Sequence, residues 1–194
     1  MDEEKLTRDT IVDEAIRLIN DDGLDGVSLR KLAERVGVKA PSLYWYFKDK
    51  SALLAAVMER IFLECLESIP DHAEWEAWMH AFGIALWRTQ ATVRDFGRLV
   101  TTTDMEPAQL LRTTNRIRTK VRKLNVPEID AMEIQSAIQA LMTGWSAFAH
   151  APYARALSTK IDIDKSAIRD LEALIAGKAA QIAAKTVKRK RARV

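Results

Sequence analysis

Along almost the whole chain apolar residues recur at intervals of three and four, while the alternation and β-branched runs of strands are missing. A period of that kind specifies helices. Thr7 can cap a first helix whose apolar stripe is Ile11, Ala15, Ile16, Leu18 and Ile19, and Asn20-Asp21-Asp22-Gly23 stops it near residue 22. Ser28 suits the N-cap of a second helix through Val36, Gly37 interrupts it, and Pro41 restarts a third. Asp49 can cap a fourth, 50–69, with Leu53, Leu54, Val57, Ile61 and Leu66 on its buried side and Pro70 at its end. Further helices are expected near 72–90, 93–102, 107–124, 127–150 and 164–186, between Pro107, Pro127, Pro152 and short polar breaks. The first of these carries Trp75, Trp78 and Phe82 on one side and Trp87 on the other, as a central helix would. The fold class is therefore all-α, with about nine helices and no internal repeat.

With 194 residues, 48% of them hydrophobic, the chain can bury a core as one domain or two small ones. Its single cysteine, Cys65, forms no internal disulfide and suits a reducing compartment as a small apolar filler. Met1 is followed by Asp2, Glu3 and Glu4 rather than by a basic and then apolar leader, and no stretch has the apolar length of a bilayer span. A soluble cytoplasmic protein without a membrane partner is expected. The net charge of +3 hides an uneven distribution, because six of the 30 Lys and Arg lie in the last ten residues, where there is no acid. Within Ser28 to Lys50 the balance is again positive, with Arg30, Lys31, Arg35, Lys39, Lys48 and Lys50 against Glu34 and Asp49.

That same segment reads as a helix-turn-helix. Leu32, Ala33 and Val36 pack one helix inward, Gly37 allows the tight turn, and Val38, Leu43 and Phe47 close a small core. What remains outside is short, aromatic or basic, as a helix in a major groove with phosphates on both flanks requires. An ordinary amphipathic helix pair would instead bury Tyr44 and Trp45 and leave the lysines as a solvated face. The capped Ser28, the aromatic cluster and the closing lysine, taken together, favour the nucleic-acid reading; Trp45 is expected to be partly buried between helices.

The run Leu43-Tyr44-Trp45-Tyr46-Phe47-Lys48-Asp49-Lys50, preceded by Arg30-Lys31-Leu32-Ala33 and Gly37-Val38, resembles the DNA-binding domain of the tetracycline-repressor (TetR) family over roughly residues 7 to 66. The resemblance implies that Ser28, Tyr44 and Lys50 contact phosphates, while Arg30, Lys39, Ala40, Pro41, Ser42 and Tyr46 lie at or near base edges. Arg30 is the strongest candidate reader, because a guanidinium can donate two hydrogen bonds to guanine O6 and N7. The implied organisation is a DNA-binding domain over 1–66 that includes the start of the linking helix, an effector-binding and dimerisation domain over 67–186, and a basic tail, 187–194, expected to be disordered. Such a tail could add sequence-independent phosphate attraction.

One recognition helix binds weakly, and a two-fold dimer reads half-sites about 34–36 Å apart, so a homodimer on double-stranded operator DNA is expected. In the family the last two long helices of each subunit form a four-helix bundle. Here they would offer Ile138, Leu141 and Phe148 from one helix and Leu171, Leu174, Ile175 and Ile182 from the other, with Gly144, Ala147, Gly177 and Ala180 permitting close approach. A small-molecule effector pocket is expected from Trp78, Phe82, Trp87, Met105, Asn115, Gln135, Gln139, Met142 and Trp145, a mostly apolar set with few polar groups. For any single one of these residues a place in the core or on a solvated face is an equal alternative.

Catalysis finds little support. His72 and His80 stand eight residues apart, about 12 Å along one helix, too far to share a metal ion, and phosphate-binding glycine loops, HExxH helices and nucleophile elbows are missing. Neither an enzyme nor a cofactor is expected. The resulting expectation is a ligand-responsive repressor that binds a palindromic operator and is released by an effector. A DNA-binding regulator without an effector, activating or architectural, stays open as the alternative.

Overall fold

The computed structural model describes the backbone of residues 6–191 and the side chains of all of these except Arg155 and 186–191. Among the described residues it contains α1 Arg8–Asp22, a 3-10 turn Leu24–Gly26, α2 Leu29–Arg35, α3 Ala40–Tyr44, α4 Lys50–Glu67, α5 Trp75–Thr92, α6 Phe96–Thr102, α7 Pro107–Arg122, α8 Glu128–Ala149, the single turn α9 Ala154–Leu157, and α10 Ile163–Arg191. The protein is all-α. Only the 3-10 turn and α9 lack a counterpart in the periodicity, since three or four residues are too few to show one. The backbone of 187–191 continues α10, so this part of the tail is helical rather than disordered; residues 192–194 lie outside the described residues.

Two compact units are present. The first comprises the chain up to Glu64 together with Thr89–Thr114, and the second comprises Cys65–Arg88 and the chain from Asn115 on. The first unit is thus not one continuous stretch: Phe96 and Leu99 of α6 belong to the same buried cluster as Ile11, Leu18, Leu32, Leu43, Phe47, Leu53 and Val57.

Local sequence sets the ends of these helices. Thr7 and Thr10 form a reciprocal capping box at the start of α1, the Thr7 hydroxyl accepting from Thr10 N–H at 3.1 Å and the Thr10 hydroxyl accepting from Thr7 N–H at 3.0 Å. Gly23 ends α1 at φ +76°, with its N–H on the Ile19 carbonyl, a backbone conformation that disfavours any side chain. Asp49 caps α4 by accepting from Ala52 N–H at 2.8 Å. Sequence spacing predicts a helix from 93, but α6 begins at Phe96 because Asp95 takes a left-handed conformation (φ 57°). The Asp95 carboxylate then accepts from Leu24 N–H at 2.8 Å. Beside it Arg94 N–H donates to Asn20 Oδ1 and Arg98 makes a two-pronged pair with Asp25, so the α5–α6 corner is tied to the α1 corner by side chains.

In the second unit the expectation of a central helix is met by α5, where Trp78, Met79, Phe82 and Leu86 are buried and Trp78 stacks parallel on Phe82 at 5.8 Å. A Cβ on Gly83 would overlap the methyl groups of Leu171, so glycine is what admits the side chain of α10 against α5. The helices α8 and α10 pack on one another, α8 burying Ala131, Ile134, Ile138, Met142 and Ser146 at helical spacing.

Candidate nucleic-acid interface

The turn between α2 and α3 follows from its residues. Val38 N–H donates to the Ala33 carbonyl at 3.0 Å and Gly37 N–H to the Glu34 carbonyl at 3.4 Å, the paired bonds of a Schellman end, with Gly37 at φ +71°. A Cβ on Gly37 would meet nothing, so the backbone angle and not crowding calls for glycine. Leu32, Ala33 and Leu43 are buried beneath the pair and Phe47 beyond it, which fixes the opposite side as the outward one.

That outward side carries Ser28, Arg30, Lys39, Pro41, Tyr44 and Trp45, all exposed, with Ala40 and Ser42 half-buried. Ser28 caps α2, accepting from Lys31 N–H at 3.1 Å, and thereby orients the first turn on which Arg30 stands. Among the described residues Arg30 is paired only with Glu34, four residues on and likewise exposed, a contact of small worth that a better acceptor can displace. Lys39 has no ion pair among the described residues. The positive excess counted in the sequence is narrower in space: Lys31 reaches Asp22 at 2.8 Å, and Arg35 reaches Glu14 at 2.6 Å and Asp21 at 2.7 Å. Lys31 holds the Asp22 carboxyl below its usual range, and the acids around Arg35, Asp21 first, raise its guanidinium above its ordinary value. Acids from α1 thus neutralise the back of α2, and on the outward side Lys39 is left without an ion pair among the described residues while Arg30 keeps only its loose, solvated contact with Glu34.

Three expectations change. Trp45 is 91% exposed, not partly buried, because Leu43 and Phe47 face the core four residues apart and turn the residue between them to solvent. Tyr46 is not free to read a base edge as placed: its hydroxyl donates to the Leu6 carbonyl at 3.0 Å, and its own carbonyl accepts from Arg8, whose guanidinium lies over the Phe47 ring. Lys50 Nζ donates to the Leu24 carbonyl at 3.1 Å, so its ammonium ties α4 to the 3-10 turn before it can serve a phosphate. Trp45 is the residue that sequence reasoning missed, and the spacing of Leu43 and Phe47 was the signal for it.

The expected effector residues are dispersed. Met105 belongs to the first unit, half-buried at a cavity of about 470 Å³ lined by Arg8, Lys48, Asp104, Glu106 and Arg112 among others. In the second unit Trp78, Phe82 and Met142 are buried, and Trp87, Gln135, Gln139 and Trp145 are half-buried. Asn115 is exposed on α7 and therefore lines no interior as placed; Trp145 Nε1 donates to Asp170 at 3.1 Å across α8 and α10. Two polar atoms of this set are buried without a hydrogen-bond partner, Trp78 Nε1 and Gln139 Oε1, although Gln139 Nε2 donates to Thr143.

Of the expected interface residues, Ile138, Leu171 and Ile175 are buried within the single chain, where they complete its core, while Leu141, Phe148, Leu174 and Ile182 are half-buried. The outward face of α8 is Ile129, Met132, Ser136, Ala140, Gly144 and Ala147, and that of α10 includes Ala173, Ala176, Gly177 and Ala180, so the four small residues named from the sequence lie outward. Among the described residues no group of His, Cys, Asp and Glu is arranged to hold a metal ion, and no helix is long and apolar enough to cross a membrane.

Residues 11–57 match the family model of bacterial regulatory proteins, tetR family. The chain is 37% identical over 97 residues to the class C tetracycline repressor of Escherichia coli, across 49% of this chain and 44% of that protein. It is 48% identical over 60 residues to the class A repressor from transposon 1721, across 31% and 28%. The chain therefore spans less than half the length of these relatives. Solved structures extend the likeness in fold: TetR from Acinetobacter baumannii AYE is 26% identical with a TM-score of 0.72, across 92% of this chain and 99% of that one. A variant of that repressor in complex with minocycline gives 25% and 0.71 with the same coverage. Residues 11–57 thus carry the helix-turn-helix segment of the tetR family model, and the chain as a whole shares its all-α fold with these repressor structures.

Proposed function

We propose that this chain is a cytoplasmic transcriptional repressor that binds a palindromic operator as a homodimer through α2 and α3 and is released by a small molecule held in its second unit. The observation that carries the reading is the exposed set Ser28, Arg30, Lys39, Pro41, Tyr44 and Trp45 on a helix-turn-helix that its own core makes rigid. Arg30 reads a guanine, the Ser28 hydroxyl meets a phosphate, Lys39 as a point charge meets a phosphate rather than the base edge that the resemblance implied, Pro41 and Ala40 touch a thymine methyl, and Tyr44 and Trp45 rest against the sugar-phosphate wall. The dimer forms through the outward faces of α8 and α10. Their small residues admit close helix approach, and a Cβ on Gly144 or Gly177 meets nothing within one chain.

Trp78 Nε1 and Gln139 Oε1, among the buried and unpartnered groups of the second unit, support an effector. Leaving such a group unsatisfied costs about 1–3 kcal/mol, so an acceptor for Trp78 Nε1 and a donor for Gln139 Oε1 are favourable additions. The minocycline-bound relative supports a small organic molecule at the corresponding stage of regulation. The helices α4, α5 and α7 each contribute residues to both units, so displacement of one of them by a ligand is carried along a continuous helix to the unit that holds α2 and α3.

Selection of bound duplexes from a random pool tests the first step. An inverted repeat with half-sites separated by about 34–36 Å or a multiple of it is expected. Enrichment of no sequence, with weak and purely salt-driven affinity, overturns the reading. For an effector found with the winning duplex, linkage requires operator to weaken its binding by the same factor by which it weakens operator binding. Equal affinity with and without operator removes effector release.

A further inference from the structure

The cavity of about 470 Å³ lies within the unit that carries the helix-turn-helix, and no part of the regulatory reading uses it. Small apolar residues contribute to its lining, Ala55 buried, Ala52 half-buried and Ala108 exposed. The same lining carries charged groups of both signs: Arg8, Lys48 and Arg112 against Asp104 and Glu106. Most of these are already engaged. Arg112 makes a two-pronged pair with Glu59, and Arg8 donates to the Tyr46 carbonyl over the Phe47 ring. The Lys48 to Glu106 pair is 3.6 Å long between side chains that are 71% and 67% exposed, a contact of little worth that is readily exchanged. The exposed carboxylate of Asp104 has no ion pair among the described residues. A volume of this size suits a small molecule, and a lining in which polar and charged residues outnumber the apolar ones suits a polar one.

A plain anion would meet Asp104 and Glu106, and a plain cation would meet Arg8 and Lys48. A molecule that carries both charges on one small frame avoids both repulsions and exchanges the weak Lys48 to Glu106 contact for two complementary ones. We propose that this cavity binds a small zwitterion of amino-acid chemistry, its carboxylate toward Arg8 and Lys48 and its ammonium toward Asp104 and Glu106. Lys48 stands in the segment that follows α3, so a ligand carboxylate on Lys48 acts next to the helix-turn-helix. The site is separate from the effector proposed for the second unit.

Calorimetric titration of the full chain with each of the common L-amino acids, their N-acetyl derivatives and their amides tests the proposal. At least one free amino acid is expected to bind with a dissociation constant below about 1 mM, and its two single-charge derivatives at least roughly tenfold more weakly, the loss of one charge-assisted contact. Asp104→Asn is exposed and without a paired cation, so the fold tolerates it; it is expected to weaken the free amino acid roughly tenfold and to leave the N-acetyl derivative unchanged. Binding of no free amino acid, equal binding of a single-charge derivative, or indifference to Asp104→Asn each overturns it.

Discussion

The two units are held together by different means. In the first, helices as short as Leu29–Arg35 and Ala40–Tyr44 cannot bury a long stripe, and side-chain bonds join the segments around them: Tyr46 to Leu6, Lys50 to Leu24, Asp95 to Leu24, Arg98 to Asp25 and Arg112 to Glu59. In the second, helices as long as Glu128–Ala149 and Ile163–Arg191 rest on apolar stripes, and the critical point is the approach of Leu171 to Gly83. Short helices gain little from propensity alone and depend on caps and tertiary bonds, whereas long ones depend on packing. The first unit, with its own buried cluster beneath these ties, is therefore expected to respond to single polar atoms as well as to volume, and the second to volume above all at the point where Leu171 meets Gly83.

Volume should give the largest effect. Gly83→Val places two methyl groups where Leu171 already sits, and a loss of about 3 kcal/mol or more is expected, with Gly83→Ala at about 1–3 kcal/mol. Gly97→Ala in α6 of the first unit meets nothing and is expected to raise the melting temperature slightly, as glycine in a helix costs about 0.5–1 kcal/mol relative to alanine. Thermal unfolding of the variants reads both. A tolerated Gly83→Val would show that α5 and α10 can separate at this point, and the contrast between the units would fail.

On DNA the comparison moves to two neighbouring cations. Arg30→Ala is expected to relax preference at one base pair by roughly ten- to a hundredfold, while Lys39→Ala lowers affinity for every duplex and reduces the salt slope by about 1. Binding to the selected operator and its single-base variants at several salt concentrations separates them. Identical behaviour of the two would mean that both act on phosphates.

The polar ties of the first unit predict a smaller change. Tyr46→Phe removes the bond to Leu6 and is expected to cost about 1 kcal/mol of stability with base preference unchanged. A shift in preferred sequence without a loss of stability would restore Tyr46 as a reader. Trp45→Ala is the counterpart, weakening DNA binding without lowering the melting temperature, since the exposed ring supports nothing beneath it.

How far the sequence reveals this molecule follows the same division. Caps and turns are local, so Thr7, Ser28, Gly37 and Asp49 place the first four helices within one or two residues of where they lie. The helix-turn-helix was legible for that reason, and its outward residues could be named. Partners distant in sequence were not legible: nothing in the run 44–50 shows that Tyr46 will find Leu6 or Lys50 the Leu24 carbonyl, or that acids of α1 will neutralise Lys31 and Arg35. The second unit was harder still, because an apolar residue on a long helix can face its own core or the outside. Ile138, Leu171 and Ile175 went inward, and the small residues beside them, Ala140, Gly144 and Ala176, form the face that is left.

The smallest effect tests whether the polar ties act through charge. Arg112 holds the Glu59 carboxyl below its usual range, chiefly through its hydrogen bonds, against the opposing pull of partial burial. A carboxyl whose folded pKa is depressed stabilises the fold fully above its unfolded value of about 4.3, and the contribution disappears as pH falls through the lower folded value. Arg112 is more than half exposed, so solvent screening limits the pair to a few tenths of a kcal/mol up to about 1. Glu59→Gln should therefore melt slightly below the parent at pH 7, and the two melting curves should converge as the pH is lowered toward 3. A gap that stays constant through that range would assign the tie to packing and neutral hydrogen bonding, which would bring this corner of the first unit closer to the way the second is held.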